Sequence, residues 1–517
     1  MSPVTGPAPS ALRPEHPVAR PLAQLVALFG LDVRGDLDGV EVTGAALASS
    51  AVEPGDLYVG VPGRNAHGAA YAAAAAEAGA VAVLTDGDGA DLAAAAGLPI
   101  VVTADPRAAL GAVAAWIHRT EDNAATLFGV TGTNGKTSVV YLLYAILGQL
   151  GIVAGLTSTA ERRIGEHAIT STLTTPEATE LHALLARMRE EGVRAAAIEV
   201  SAQALSRHRV DGIEFDVAGF TNLSHDHLDD YTAMPDYFAA KLELFQPDRA
   251  RRGVVTVDSE WGHRLVEQSR IPVTTLSSVA GSEADWRVTV LEETLARTAF
   301  ALEGPGGRLL ETSVPLLGAY NASNAALAIV MLVESGYDLD AIGAALERDG
   351  GIDAYIPGRA ERLSGDRGPV VFIDYGHTPD AFSSTLAALR RVTAGRIVMV
   401  FGADGDRDIT KRAEMGAIAA RGADAVVITD FHPRWEDPAT IRAALLEGAR
   451  NAVPERDLYE VPDPRTAFRT ALSLAGEGDV VLYAGPGHED YQEAAGERIP
   501  YSARDDARLA LREAGWL

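Results

Sequence analysis

The chain of 517 residues contains no cysteine. Disulfide staples, thiolate metal sites and cysteine nucleophiles are therefore excluded from the outset. Lysine is nearly absent too: of 44 basic residues only Lys136, Lys241 and Lys411 are lysines, and the rest are arginine. Genome composition is reason enough for an arginine-rich surface. A retained lysine, however, is expected where a planar, permanently charged guanidinium cannot serve, because only the primary amine can lose its proton and react. No apolar run reaches the roughly 18 residues that a membrane span needs, and the first residues show neither the basic start nor the apolar core of a secretion signal. Positive charge is scarce overall. A net charge of -27 repels phosphate backbones, which argues against a nucleic-acid partner. Any anionic substrate must then be held in a locally basic or metal-loaded pocket. These absences together lead to the expectation of a cytoplasmic protein, without membrane insertion and without nucleic acid.

What is present reads as an ordinary globular protein, 47% apolar and 22% charged, too long for a single hydrophobic core. Six prolines in residues 1–21 predict a disordered tail there. Three blocks follow, 22–124, 125–355 and 356–517, each alternating short apolar strands with helices. Strands are expected at 79–84, 126–130, 193–200, 215–220, 369–374, 396–401, 425–429 and 479–484, with helices at 69–78, 138–147 and 236–245. Such alternation predicts an α/β protein of three domains built on mostly parallel sheets.

The strongest local signal is Gly129-Val-Thr-Gly-Thr-Asn-Gly-Lys-Thr137, set between an apolar strand and an apolar helix. Backbone amides of such a loop, with the helix N-terminus behind them, bind phosphate oxygens. Lys136 is placed to reach the β/γ-phosphates and the Thr137 hydroxyl to ligate Mg²⁺. Val130 stands where the first glycine of the usual pattern belongs. Two further stretches read as metal positions. Glu199 ends a strand, at the sheet edge where ligands gather. The second is Thr221-Asn-Leu-Ser-His-Asp-His-Leu-Asp229, with Asp226 and His227, followed by Lys241 fourteen residues after His227. Each of these groups alone would be an ordinary solvated side chain; three after successive strands point to a metal-assisted nucleotide site. In the last block, Asp374-Tyr-Gly-His-Thr-Pro-Asp380 and Gly402-Ala-Asp-Gly-Asp-Arg-Asp-Ile-Thr-Lys-Arg412 also follow apolar strands.

Taken in order, these motifs resemble the Mur ligases, most closely the MurE type, which adds the third residue of the peptidoglycan stem peptide. The resemblance also rests on LTTPE (173–177), EVSAQAL (199–205), YFAAKLELF (237–245), GAYNASN (318–324), PGRAERL (357–363) and AGPGHEDY (484–491). It implies a UDP-binding N-terminal domain, a central P-loop-type ATPase domain and a Rossmann-like C-terminal domain. The implied chemistry is ATP-dependent: a D-glutamate carboxylate attacks the γ-phosphate, and an amine then attacks the acyl-phosphate. By resemblance Gly132, Thr133, Asn134, Gly135, Lys136 and Thr137 hold ATP, with Asn321 and Asn324 on the adenine side and Arg359, Asp374 and His377 closing over it. Two Mg²⁺ sites are implied, using Thr137, Glu199, His227 and Lys241, the last carbamylated by CO₂. Ser49, Thr174, Thr175, Ser201 and Arg209 match contacts to the UDP-MurNAc-dipeptide. Arg407, His432, Arg434, Gly485 and Glu489 match the pocket for a diamino acid. A monomer is expected.

Several positions depart from the family pattern. Ala202 and Gln203 replace Ser-His, Gly376 replaces alanine, Ala403 and Asp404 replace Cys-Gly, and Pro486 replaces lysine. Ala48-Ser49-Ser50 stands for Asp-Ser-Arg. Phe431-His-Pro-Arg434 stands where diaminopimelate-adding enzymes read Asp-Asn-Pro-Arg. Arg434 suits the second carboxylate of meso-2,6-diaminopimelate, but L-lysine and ornithine remain open, as does an ion pair of Arg434 with Glu436 or Asp437. A folylpolyglutamate-type ligase, a P-loop transporter or motor ATPase, and a non-catalytic nucleotide-binding scaffold are the other readings.

Overall fold

The computed structural model describes residues 13–63, 65–122, 124–165, 167–226 and 230–517. Three sheets carry the fold. The first has five strands in the order Asp32–Arg34, Ile100–Val102, Ala82–Thr85, Asp56–Val59, Gly44–Ala46, parallel except for the first pair. The last has six, in the order Glu361–Arg362, Val370–Asp374, Val480–Ala484, Ile397–Phe401, Ala425–Ile428, Asp457–Glu460, again parallel but for one edge pair.

The central sheet has eleven strands. Thr126–Thr131 lies between Ala195–Glu199 and Phe215–Phe220, parallel to both. The chain leaves Thr126–Thr131 for Ala154–Thr157 on one side, fills the gap with Ala195–Glu199, then continues on the other side with Phe215–Phe220, Ala250–Thr256 and Val273–Ser277. Strand order thus reverses at Thr126–Thr131, which opens a crevice at its carboxyl end. Antiparallel hairpins finish both edges, Glu161–Ile164 with His167–Thr170 on one and Thr298–Gly304 with Arg308–Val314 on the other. The inner strands are buried on both faces because two separate apolar clusters cover the sheet, one around Lys136–Gln149 and Ala319–Glu334, the other around Phe215, Tyr237 and Phe245.

Helix starts follow a repeated local rule. Asp105-Pro106, Thr378-Pro379, Asp437-Pro438 and Asp463-Pro464 each place an oxygen acceptor at the cap and proline at the first helical position. The side chain accepts from a free amide of the first turn, and proline has no N–H to leave orphaned.

From Arg13 onward the expectation of a disordered tail is corrected. The Arg13 guanidinium bonds both carboxylate oxygens of Asp56, at 2.6 and 2.8 Å, and Arg20–Pro21 pairs with Glu41–Val42. Proline density excludes regular helix but not a strap held down by an ion pair. Among the described residues no helix is long and apolar enough to cross a membrane.

Candidate active site

The phosphate loop leaves the buried strand Thr126–Thr131 and enters the helix Lys136–Gln149. Two of its glycines are required by space. A Cβ on Gly132, at φ +149°, would overlap the Thr221 hydroxyl, and one on Gly135, at φ +89°, would meet the Asn324 amide oxygen at 2.5 Å. Lys136 folds back to donate to the carbonyls of Gly132 (3.1 Å) and Thr133 (3.0 Å), with the Glu199 carboxylate 3.9 Å away. Burial, and then the neighbouring Arg359, lower the Lys136 pKa, against the pull of Glu199 and Asp226.

Glu199 ends the adjacent strand and is only 2% exposed. It accepts from the Thr137 hydroxyl (3.0 Å) and from the backbone amide and hydroxyl of Thr159. A carboxylate beside a hydroxyl at the mouth of a phosphate loop is the donor set Mg²⁺ takes, since that ion is bound by one or two carboxylates plus substrate phosphates. The pair fits the ion. Lys241, 1% exposed, reaches the loop from the opposite side: its amine donates to the same Gly132 carbonyl (2.7 Å) and lies 4.3 Å over the Tyr237 ring. Burial, followed by repulsion from Lys136, drives its pKa well below the ordinary lysine value. His227 lies outside the described residues.

A cavity of about 330 Å³ opens beside the loop, lined among others by Asn134, Asn321, Asn324, Arg359 and Asp374. Asn321 holds the Leu317 carbonyl and accepts from Asn324, so both amides are oriented by the helix they share. Asp374 accepts from the amides of Ala360 and Gly376, which fixes the segment carrying Arg359. Arg359 donates to the Thr137 hydroxyl (2.8 Å) and stacks over Tyr375. The sequence motifs thus converge although they are more than 200 residues apart.

A second cavity, about 830 Å³, runs from the loop into the C-terminal sheet. Its near end holds Lys136, Thr137, Thr174, Glu199, Ser201 and Arg209; its far end holds Arg407, His432, Arg434, Gly485 and Glu489, with His377 also on its wall. The far residues follow the carboxyl ends of Ile397–Phe401, Ala425–Ile428 and Val480–Ala484. Thr175 is buried behind this wall, donating to the Glu199 carbonyl (2.7 Å). Ser49, half-buried after the strand Gly44–Ala46, lines neither cavity.

Sequence reasoning singled out Asp226 and Lys411 but missed that they pair. Lys411 forms a buried ion pair with Asp226 (3.1 Å), and His225 meets Asp408 (3.0 Å), so the C-terminal block is tied to the central sheet beside the cavity. The scarcity of lysine was a signal for Lys411. The anticipated partners of Arg434 are also corrected. Glu436 is held by Arg412, and Asp437 caps the helix Pro438–Ala452. Arg434 instead pairs with Asp404 (3.0 Å) and Glu493 (3.3 Å). His432 bonds Glu489 at 2.7 Å.

Three family models match this chain: Mur ligase family, catalytic domain, over residues 41–117; Mur ligase middle domain over 130–332; and Mur ligase, glutamate ligase domain, over 358–487. The chain is a Mur ligase. As such it is an ATP-dependent ligase of peptidoglycan biosynthesis. This ligase is 45% identical over 511 residues to the UDP-N-acetylmuramoyl-L-alanyl-D-glutamate–2,6-diaminopimelate ligase of Streptomyces avermitilis, covering 98% of both chains. It is 39% identical to the enzyme of that name from Corynebacterium glutamicum, covering 91% of this chain and 92% of the other. A solved structure of a ligase of that name superimposes with a TM-score of 0.65 at 27% identity, over 97% of this ligase and 100% of that chain.

Proposed function

We propose that this Mur ligase joins 2,6-diaminopimelate to the D-glutamate side-chain carboxylate of UDP-N-acetylmuramoyl-L-alanyl-D-glutamate, converting ATP to ADP and phosphate. The observation that carries the reading is the single cavity running from Lys136 and Glu199 to Arg434 and Glu489. An acyl-phosphate formed at one end faces an amino acid held at the other. The names of the relatives at 45% and 39% identity support the same substrates.

In this mechanism the loop amides and Lys136 hold the β/γ-phosphates and offset the charge that spreads over the γ-phosphate oxygens during transfer. Mg²⁺, held by Thr137 and Glu199 with His227 and a carbamylated Lys241 at a second position, would supply further charge neutralisation. A carbamate needs a neutral primary amine, which the burial of Lys241 favours. Arg209 and Ser201, with Thr174, orient the dipeptide so that its carboxylate meets the γ-phosphorus in line. Its oxygen bonds to phosphorus as the bond to ADP breaks. The amino group of the third residue, entering neutral, then bonds to the acyl carbon as phosphate leaves and takes the proton the new amide nitrogen sheds. Arg434 grips the distal carboxylate and Glu489 the distal ammonium. The Lys411–Asp226 ion pair and the His225–Asp408 hydrogen bond tie the C-terminal block to the central sheet beside the cavity, and a closed arrangement of the two would keep water from the acyl-phosphate.

ADP release tests this directly, with the UDP-linked dipeptide and a panel of meso- and LL-diaminopimelate, L-lysine and ornithine. Diaminopimelate should exceed lysine by at least ~30-fold in kcat/KM, the discrimination expected when a second substrate carboxylate gains charge-assisted bonds from Arg434 that lysine cannot form. Arg434→Ala should erase most of that gap. Equal rates with all amino acids would end the reading. The second reading, L-lysine or ornithine, is favoured by one observation: Arg434 is already paired with two carboxylates.

A further inference from the structure

Every nitrogen of the guanidinium proposed to receive the distal carboxylate already has a partner in the protein. Nη2 of Arg434 meets Asp404 Oδ1 at 3.0 Å, Nε meets Glu493 Oε2 at 3.3 Å, and Nη1 donates to the Gly405 carbonyl at 2.7 Å. Two carboxylates surround one cation, and the nearby Glu489 is occupied by His432. All these residues except Gly405 line the large cavity.

The two carboxylates are held differently. Asp404 is anchored through its backbone. Its carbonyl accepts from Arg412, which is itself clamped on Glu436, and the next amide, Gly405 N–H, donates to the His432 carbonyl at 2.8 Å. A Cβ on Gly405 would overlap the Pro433 carbonyl, so the segment 404–405 lies directly on the segment carrying Arg434. Glu493, by contrast, sits on the short hairpin of Tyr491–Ala494 and Glu497–Pro500, with a longer side chain and 37% exposure. Arg434 itself is at φ +51°, held there by the bonds from its N–H to the Glu493 carbonyl and from Ala495 N–H to its own carbonyl. Its direction into the cavity is therefore set by backbone rather than by whichever carboxylate it meets.

We infer that Asp404 is a specificity-determining residue for the distal end of the incoming diamino acid: an internal counter-ion that a second substrate carboxylate must displace from Arg434, and that otherwise faces the distal ammonium. The inference rests on the proposed ligation. A monocarboxylate such as L-lysine meets a satisfied Arg434 and an excess carboxylate, which suits its ammonium. A dicarboxylate must compete with Asp404 for Nη2 and bind against its negative charge. Asp404 thus narrows the preference for diaminopimelate over lysine, and it stands where the family pattern has glycine.

The test is kcat/KM for diaminopimelate and for L-lysine in the full-length enzyme, compared among wild type, Asp404→Asn and Asp404→Gly. Removing the charge should lower KM for diaminopimelate and raise it for lysine, so that the diaminopimelate-to-lysine ratio rises about tenfold in both variants. A role confined to local structure would move both KM values in the same direction. A rise of less than threefold, a shift toward lysine, or loss of both activities in both variants overturns the inference. So does the same shift in Glu493→Gln when Asp404→Asn shows none. If wild type turns over neither amino acid, the ligation itself is refuted and the inference falls with it; a wild type that uses diaminopimelate with an unresponsive Asp404 refutes the inference alone.

Discussion

Replacing Lys241 by arginine separates a charge role from a carbamate role. The amines of Lys136 and Lys241 contact the same Gly132 oxygen, at 3.1 and 2.7 Å, so they cannot lie more than about 5.8 Å apart. Two full positive charges at that separation repel by about 3 kcal/mol at an effective dielectric constant near 20. A neutral amine, or a carbamate, avoids that repulsion; a guanidinium confined to the same buried space cannot, because it never loses its proton. Lys241→Arg should therefore unfold about 3 kcal/mol more easily than wild type and lose several orders of magnitude in turnover. Lys241→Ala brings no charge, so its folding should suffer less while its turnover falls as far. Short carboxylic acids should restore part of the alanine variant's activity by standing in for the carbamate. Urea titration and ADP release at saturating substrates, with and without added bicarbonate or acetate, measure both effects. An arginine variant with near wild-type turnover would refute the reasoning.

Lys136→Ala should lower kcat by roughly a hundredfold or more at saturating ATP, the usual effect of losing one phosphate-neutralising group; more than a tenth of wild-type activity would contradict it. Gly135→Ala should weaken ATP binding at least tenfold in equilibrium dialysis, since the added methyl meets the Asn324 side chain, and should also lower the melting temperature, because φ +89° strains any residue with a Cβ. His182 is fully buried, with its Nδ1 bonded to Thr120 and its Nε2 donating to the Asp211 carbonyl, and burial pushes its pKa down to about 4. The unfolded chain, with an ordinary value near 6.5, then binds the proton first, so stability is full above that value and falls as pH drops toward 4. This one group should remove about 2 kcal/mol between pH 7 and pH 5; urea unfolding of His182→Gln at the two pH values should show a correspondingly flatter dependence.

Legibility in the sequence varied with the range of the interaction. The strand 215–220 falls where expected, and the helix expected at 138–147 forms as Lys136–Gln149, its start set by the loop that feeds it. The helix is fixed by its long apolar run and the glycine before it, the strand by the fully buried Phe215, Val217, Ala218 and Phe220. The helix expected at 236–245 ends instead at Leu242 and continues as a 3-10 turn over Glu243–Phe245, because the last turn tightens to bury Leu244 and Phe245. Lys136, Thr137 and Glu199 were legible because each ends or follows a strand of one sheet. The partners of Arg434 were not. Glu436 and Asp437 are near in sequence, but one is taken by Arg412 and the other by a helix amide. Asp404 and Glu493 come from segments 30 and 59 residues away, brought together only by the strand order of the C-terminal sheet. Spacing along the chain carries no trace of that order.

The Arg13–Asp56 pair bears on how the chain can be shortened. Asp56 is 1% exposed, and its carboxylate also receives the amide of Glu53. A start chosen after the proline-rich head, at residue 22, would discard Arg13 and leave that carboxylate buried without its cation. Stranding one partner of a buried pair costs about 3–5 kcal/mol, against a total stability of only about 5–15 kcal/mol for a typical domain. The cut that looks safest by composition would thus weaken the first sheet, whereas a cut before Arg13 would spare it.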